Sequence, residues 1–228
     1  MKASDHGKHL VKLTRQGWCN AYLVREDDGL TLVDTMLPRS QGAIFAAAKD
    51  AGGEIRRVVL THAHGDHAGS LLAMAKYLPD AEIVVGRREA RLLAGDKSPE
   101  PGEPAAKPKS IVKVDVTPTR LVDPGDRIGS LEVHAAPGHT PGQIALLDTR
   151  DGTLIAADSF STLGGVAVTS KPNPRFPFPA LATWHRPTAL ATAQALRALE
   201  PARLAVGHGR VVEQPGAEMD AAIAKAGG

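Results

Sequence analysis

Thr61-His62-Ala63-His64-Gly65-Asp66-His67-Ala68-Gly69 follows directly on the apolar run Val58-Val59-Leu60 and leads into Ser70-Leu71-Leu72-Ala73-Met74-Ala75-Lys76-Tyr77-Leu78, which ends at Pro79. The apolar run reads as a buried strand and the segment from Ser70 as a helix, so the histidines lie on a strand-to-helix turn. The backbone is held at both ends there, while the side chains can point into a cleft. On extended chain, His62 and His64 at i and i+2 can turn the same way. Asp66 and His67 curl into the first helical turn and face a slightly different point, so one loop can serve two neighbouring metal positions. A lone histidine is usually a hydrogen-bonded core or surface residue. Four potential ligands within six positions do not fit that description.

Working outward, 228 residues suffice for one sizeable domain, expected over 1–228. Hydrophobic residues at 43% and charged residues at 23% are ordinary for a globular chain. The net charge is only +2 and the Lys and Arg residues are dispersed, which argues against nucleic acid as a partner. No apolar stretch approaches the ~20 residues of a membrane span, and Met1–His6 lacks the apolar centre of a signal peptide. The single cysteine, Cys19, excludes an internal disulfide and suits a reducing compartment, so packing is its expected role and the cytoplasm the expected location.

Early strands are expected at 9–14, 21–24 and 30–34, with Asp27-Asp28-Gly29 a strong hairpin signal. A helix at 40–50 stops at Gly52-Gly53. Past the histidine loop come a strand at 83–85 and a helix ending at Leu93. Residues 95–109, with four prolines, read as a surface loop. Further strands are expected at 112–116, 120–122, 131–135, 144–148, 154–157 and 203–206, and helices at 187–199 and 217–226. Strands followed by helices, twice over, suggest two sheets with helices outside: a four-layer αββα sandwich of the α+β class. Periodicity alone leaves α/β open as well.

Three more ligand candidates stand at strand ends beside small residues: His139 in Ala136-Pro137-Gly138-His139-Thr140-Pro141-Gly142, Asp158 after 154–157, and His208 between Gly207 and Gly209. Singly each is weak. With the loop they make five imidazoles and two carboxylates, all on the same kind of position.

On these motifs, in this order, the chain resembles the metallo-β-lactamase superfamily of metal-dependent hydrolases, whose signature is His-x-His-x-Asp-His. The resemblance covers nearly the whole chain and implies the αββα fold. It implies two divalent ions, with Zn2+ expected and Fe or Mn compatible with the same ligands. His62, His64 and His139 would hold the first ion and Asp66, His67 and His208 the second, with Asp158 bridging. Val33-Asp34-Thr35 matches the family's strand-ending Val-Asp-Thr, so Asp34 would brace the metal loop, although Met36 stands where Gly is usual. The implied activity is hydrolysis, in which a metal-bridging hydroxide attacks a small ester, lactone, thioester or phosphodiester and Asp66 passes a proton to the leaving group. The alternative on the same fold is a mononuclear-iron sulfur dioxygenase.

The substrate is a small molecule of unspecified class. Residues 170–187 form a Pro-rich segment holding Phe176, Phe178 and Trp184. It could wall a cleft, pack on the body of the protein or meet a second copy in a homodimer. Ser161, Lys171, Phe176, Phe178 and His185 are candidate substrate contacts. Ser161 stands where many lactonases of the superfamily carry tyrosine, which speaks against acyl-homoserine lactones. His6, His9 and His134 are read as surface or packing residues.

Overall fold

A computed structural model describes residues 1–228. The chain divides into two compact units, one of 1–95 with 111–122, the other of 96–110 with 123–228.

Unit 1 holds one seven-stranded sheet in sequence order. Strands β1 (Lys2–His6), β2 (Leu10–Arg15), β3 (Cys19–Glu26) and β4 (Gly29–Val33) form an antiparallel meander. The two-residue Asp27-Asp28 connection closes the β3–β4 hairpin as its sequence demands. From β4 the sheet turns parallel, through α1 (Gln41–Asp50), β5 (Ile55–Leu60), α2 (Gly65–Ala68), α3 (Leu71–Tyr77), β6 (Glu82–Gly86), α4 (Arg87–Leu93) and β7 (Arg120–Val122). Parallel neighbours need a crossover, and the helices supply it. Val58-Val59-Leu60 and Ile83-Val84-Val85 are buried throughout, as central parallel strands require. The core of the unit gathers Leu13, Leu23, Leu32, Ile44, Val58, Leu60, Leu71 and Met74.

Unit 2 holds a six-stranded sheet in the order β15-β14-β11-β10-β9-β8. Its strands are β8 (Arg127–Ile128), β9 (Leu131–Ala135), β10 (Ile144–Asp148), β11 (Thr153–Ile155), β14 (Arg203–Ala205) and β15 (Val212–Glu213). Between β11 and β14 the chain makes a 3₁₀ turn (Ala157–Ser159), a short ribbon of β12 (Phe160–Ser161) and β13 (Ala167–Val168), and helices α5 (Phe178–Ala182) and α6 (Arg186–Arg197). Helix α7 (Gly216–Gly227) ends the chain. Phe160, Leu154, Leu196, Leu204 and Met219 lie in its core.

One expectation is corrected, and two elements appear that the sequence did not mark. Residues 112–116 pair with no strand: Val112 N–H donates to Ala63 O and Val114 N–H to Leu93 O, so the backbone is satisfied by loop and helix end. The alternation there is real, since Val112, Val114 and Val116 pack on the core, but it records one-sided burial rather than a ladder. The N-terminal residues form β1, whose polar, largely exposed sequence carries no strand signal. Phe178–Ala182 is helical despite the prolines around it, because Pro179 lies in the first helical turn, where no amide is needed. Loop 96–110 contains no helix or strand and belongs to unit 2, where Trp184 Nε1–H donates to Ala106 O at 2.6 Å.

Arg203 knits three parts of unit 2. Its guanidinium donates to Asp151 at 3.0 Å, Thr153 Oγ1 at 2.7 Å and Glu213 at 2.7 Å. Burial alone would push the Asp151 carboxyl up, but hydrogen bonds from Thr153 and Arg203 outweigh it and hold the group below the ordinary carboxylate value. A depressed folded-state pKa stabilises above the unfolded value and is lost as pH falls through the folded one. Arg203→Met should therefore cost about 1–3 kcal/mol at pH 7, with the gap to the parent narrowing below pH ~4. Thermal melts of both proteins at pH 7 and pH 3 check this.

Candidate metal centre

In unit 1 the predicted loop forms as read. His62, His64 and His67 are buried, while Asp66 is half-buried. Helix α2 starts at Gly65 after an extended His64, so Asp66 and His67 turn away from the line of the first two histidines. Potential ligand atoms of His62 and His64, of His62 and His67, and of Asp66 and His67 come within 4.8 Å of one another.

Asp34 sets the orientation. Its carboxylate accepts Thr61 N–H at 2.8 Å, Thr61 O–H at 2.8 Å and His67 Nδ1–H at 2.7 Å. An ionised carboxylate only accepts, so His67 carries its proton on Nδ1 and Thr61 spends its hydroxyl hydrogen on Asp34. Thr61 Oγ1, 3.1 Å from His62 Nδ1, is then an acceptor, and His62 too is protonated on Nδ1. Both rings keep Nε2 as an electron-pair donor, the tautomer a ligand needs. Two supports were not foreseen. Glu89, fully buried in α4, accepts Ala63 N–H at 2.7 Å between the first two histidines. The Cys19 thiol lies 3.2 Å from Asp66 O, a donor to the loop as well as core packing.

Unit 2 brings His139, Asp158 and His208 together, all at most 3% exposed. His208 Nε2 lies 3.0 Å and His139 Nε2 3.4 Å from the same oxygen, Asp158 Oδ2. Asp158 stands in the 3₁₀ turn rather than at a strand end, with Ala157 before it in the left-handed region at φ 46°. Thr169 O–H donates to the Asp158 carbonyl at 2.6 Å and secures that turn. Thr183 Oγ1 lies 3.1 Å from His139 Nδ1, with two carbonyls (Thr169 O at 2.9 Å, Pro179 O at 3.0 Å) to take its hydrogen. Thr183 thus accepts from His139, again leaving Nε2 as the donor atom. Glycine is obligatory beside both histidines: a Cβ on Gly138 (φ +128°) would meet Ala189 N at 2.3 Å, and one on Gly209 (φ +113°) would meet Thr162 Oγ1 at 2.4 Å.

The remaining candidates divide. Phe176 lies against His208, ring centroids 5.3 Å apart, and Phe178 against Phe176 at 5.5 Å. Ser161 is buried, and its hydroxyl donates to His208 O at 3.3 Å, bracing a histidine backbone. Lys171 donates to Lys225 O at 3.0 Å, and His185 caps the N-terminus of α6 through Thr188. Both make these contacts within unit 2. His6 lies 3.2 Å from Ser4 Oγ and His134 Nε2 3.3 Å from a Glu132 carboxylate oxygen.

The donor chemistry of each unit fits a metal cation. With Nδ1 protonated, the His139 Nε2 lone pair faces a carboxylate oxygen at 3.4 Å in a buried place. Positive charge placed between two such electron-rich atoms is favourable. His62 and His67 present the same neutral donor type. Asp34→Asn should cost about 2–3 kcal/mol, because the amide cannot accept from both Thr61 and His67. It should also move the His67 proton off Nδ1. Thermal melts read the first effect and imidazole 15N chemical shifts the second.

The sequence profile of the metallo-beta-lactamase superfamily matches residues 15–208. The uncharacterized protein YobT of Bacillus subtilis is 43% identical over 209 residues, covering 91% of this chain and 90% of its own. The probable metallo-hydrolase YflN of Bacillus subtilis is 28% identical over 213 residues, covering 83% and 80%. The solved structure of TTHA1623 in a di-iron-bound form superposes with a TM-score of 0.65 at 23% identity, covering 89% of this chain and 93% of that one. The α+β fold expected from the motif order is thereby shown, and with it the family: the chain belongs to the metallo-beta-lactamase superfamily.

Proposed function

We propose that the protein is a binuclear metal-dependent hydrolase of a small ester, lactone, thioester or phosphodiester. The observation that carries this reading is an acceptor oxygen set at Nδ1 of three imidazoles: Thr61 Oγ1 at His62, Asp34 Oδ2 at His67 and Thr183 Oγ1 at His139. Such an acceptor orients the ring and leaves Nε2 for a metal ion, as metal-ligating histidines require.

In this reading His62, His64 and His139 would hold one divalent ion and Asp66, His67 and His208 a second, with Asp158 as a ligand to both. Two such ions would bring a shared water towards pKa ~7, polarise the substrate oxygen at the first position and take up leaving-group charge at the second. The protein's own part is positional and acid–base. Asp34, Thr61 and Thr183 keep the imidazoles aimed. Asp66, half-buried while His62, His64 and His67 are buried, would be the carboxylate that serves both water and substrate. It receives the water's proton and delivers it to the departing oxygen or sulfur. For an ester, the water oxygen bonds to the carbonyl carbon, the bond to the alcohol breaks, and carboxylic acid and alcohol result. The presence of Asp66, His67 and His208 together favours this over a one-iron oxygenase, which needs no second ligand set. No helix is long and apolar enough to cross a membrane.

Reconstitution with Zn2+, Fe2+ or Mn2+ should load about two ions per chain. His208→Ala should retain one, and Asp158→Ala should lose turnover to background. The panel is a set of lactones, thioesters, aryl esters and bis-nitrophenyl phosphate, with elemental analysis of each protein alongside. Failure to bind any divalent ion, or turnover indifferent to a chelator, overturns the reading.

A further inference from the structure

In unit 2 a row of rings leads outward from a buried imidazole. The His208 ring adjoins Phe176, and Phe176 adjoins Phe178 at near-perpendicular rings, 72° apart. Exposure rises along the row from 3% at His208 to 67% at Phe178. Leu181, three residues further along α5 and so on the same face as Phe178, is 54% exposed. Single exposed apolar residues are commonplace. A row of them on one helix face that begins against a buried imidazole is not.

The strip is also held firmly. Thr183 bonds to Thr169 O and Pro179 O, Trp184 N–H donates to His139 O at 2.9 Å, and Trp184 Nε1–H donates to Ala106 O. Lys109 Nζ reaches Leu181 O at 3.4 Å. The backbone behind Phe178 and Leu181 is therefore anchored to loop 96–110 and to the turn carrying His139, while their side chains face solvent. A fixed apolar surface binds an apolar group without first being ordered. Its chain of contact starts at His208, which the hydrolase reading places on the leaving-group side.

We propose that Phe176, Phe178 and Leu181 form a specificity strip for an apolar leaving group, so that the preferred substrates are esters or thioesters of unbranched or aryl alcohols and thiols. This rests on the hydrolase reading for the placing of the leaving group, but the strip itself needs no metal to bind an apolar chain. On release, the product alcohol lies along the three side chains. Each methylene buried there adds binding, up to about fourfold per carbon for full burial and about twofold on a half-open surface.

The chain has only four phenylalanines, Phe45, Phe160, Phe176 and Phe178, so 4-fluorophenylalanine labelling gives four 19F signals. Metal-free labelled protein titrated with 1-butanol, 1-hexanol and 1-octanol should shift the Phe176 and Phe178 signals, with affinity rising along the series. Phe45 and Phe160 should stay still. On metal-loaded enzyme, kcat/KM for acetate esters should rise about twofold per methylene of the alcohol from ethyl to octyl. Lengthening the acyl side of methyl esters should not produce that rise. Phe178→Ser, at an exposed position, should flatten the alcohol-side slope. No 19F shift up to the solubility of octanol, shifts confined to Phe45 or Phe160, or a slope on the acyl side only would each overturn the strip. Ring shifts without hydrolysis of any ester would leave the strip standing and overturn the hydrolase reading. Hydrolysis with a flat alcohol series and silent rings would do the reverse.

Discussion

The Asp34 carboxylate is the constraint from which the histidine loop of unit 1 takes its shape. It sits at the end of β4, reached through a left-handed backbone at φ 65°, and is almost fully buried. A buried carboxylate is costly unless its lone pairs are filled. Thr61 and His67 fill them with three hydrogen bonds, one to backbone and two to side chains. The same bonds draw together β4, the end of β5 and helix α2. Removing the charge would release the loop from the sheet as well as freeing the rings. Stability and tautomer are therefore set by one group, and the strained φ at Asp34 is offset by what its side chain satisfies.

Unit 2 arrives at a comparable result by a different route. No carboxylate stands behind His139. A threonine hydroxyl does that work, itself fixed by two carbonyls. The carboxylate, Asp158, lies instead on the Nε2 side, facing both imidazoles. Its turn depends on Ala157 at positive φ, on the Thr169 hydroxyl and on Gln143, whose amide reaches Ser159 Oγ and Ala136 O. Gln143 thus links the turn bearing Asp158 to the strand end that leads into the His139 turn.

Much of this was legible in the sequence because the metal-loop signal is local. Four ligand-type residues within one strand-to-helix turn, and Gly-flanked histidines at strand ends, follow from short-range geometry alone. The supports were not legible because they are long-range. Thr183 lies 44 residues from His139 and Glu89 26 residues from Ala63, and nothing near either marks it. Residues 112–116 misled for the opposite reason: their alternation reports burial on one side, which a strand and a packed irregular segment share. Met36 shows sequence and structure disagreeing usefully. It adopts φ 59°, a conformation suited to glycine, yet is wholly buried. The backbone strain, about 1–2 kcal/mol, is offset by an apolar side chain whose full burial is worth about 1.5–3 kcal/mol.

The two buried carboxylates make the chemical distinction that a bare ligand motif cannot. Asp34 has its oxygens engaged by three hydrogens of unit 1, so it is an anchor and has little capacity left for a cation. Asp158 turns an oxygen towards two imidazole nitrogens, at least one of which, on His139, is held in the tautomer that repels it. Positive charge, supplied by a proton or by a metal ion, stabilises that arrangement. A proton answers for one contact at a time, whereas a divalent ion answers both imidazoles and the carboxylate together.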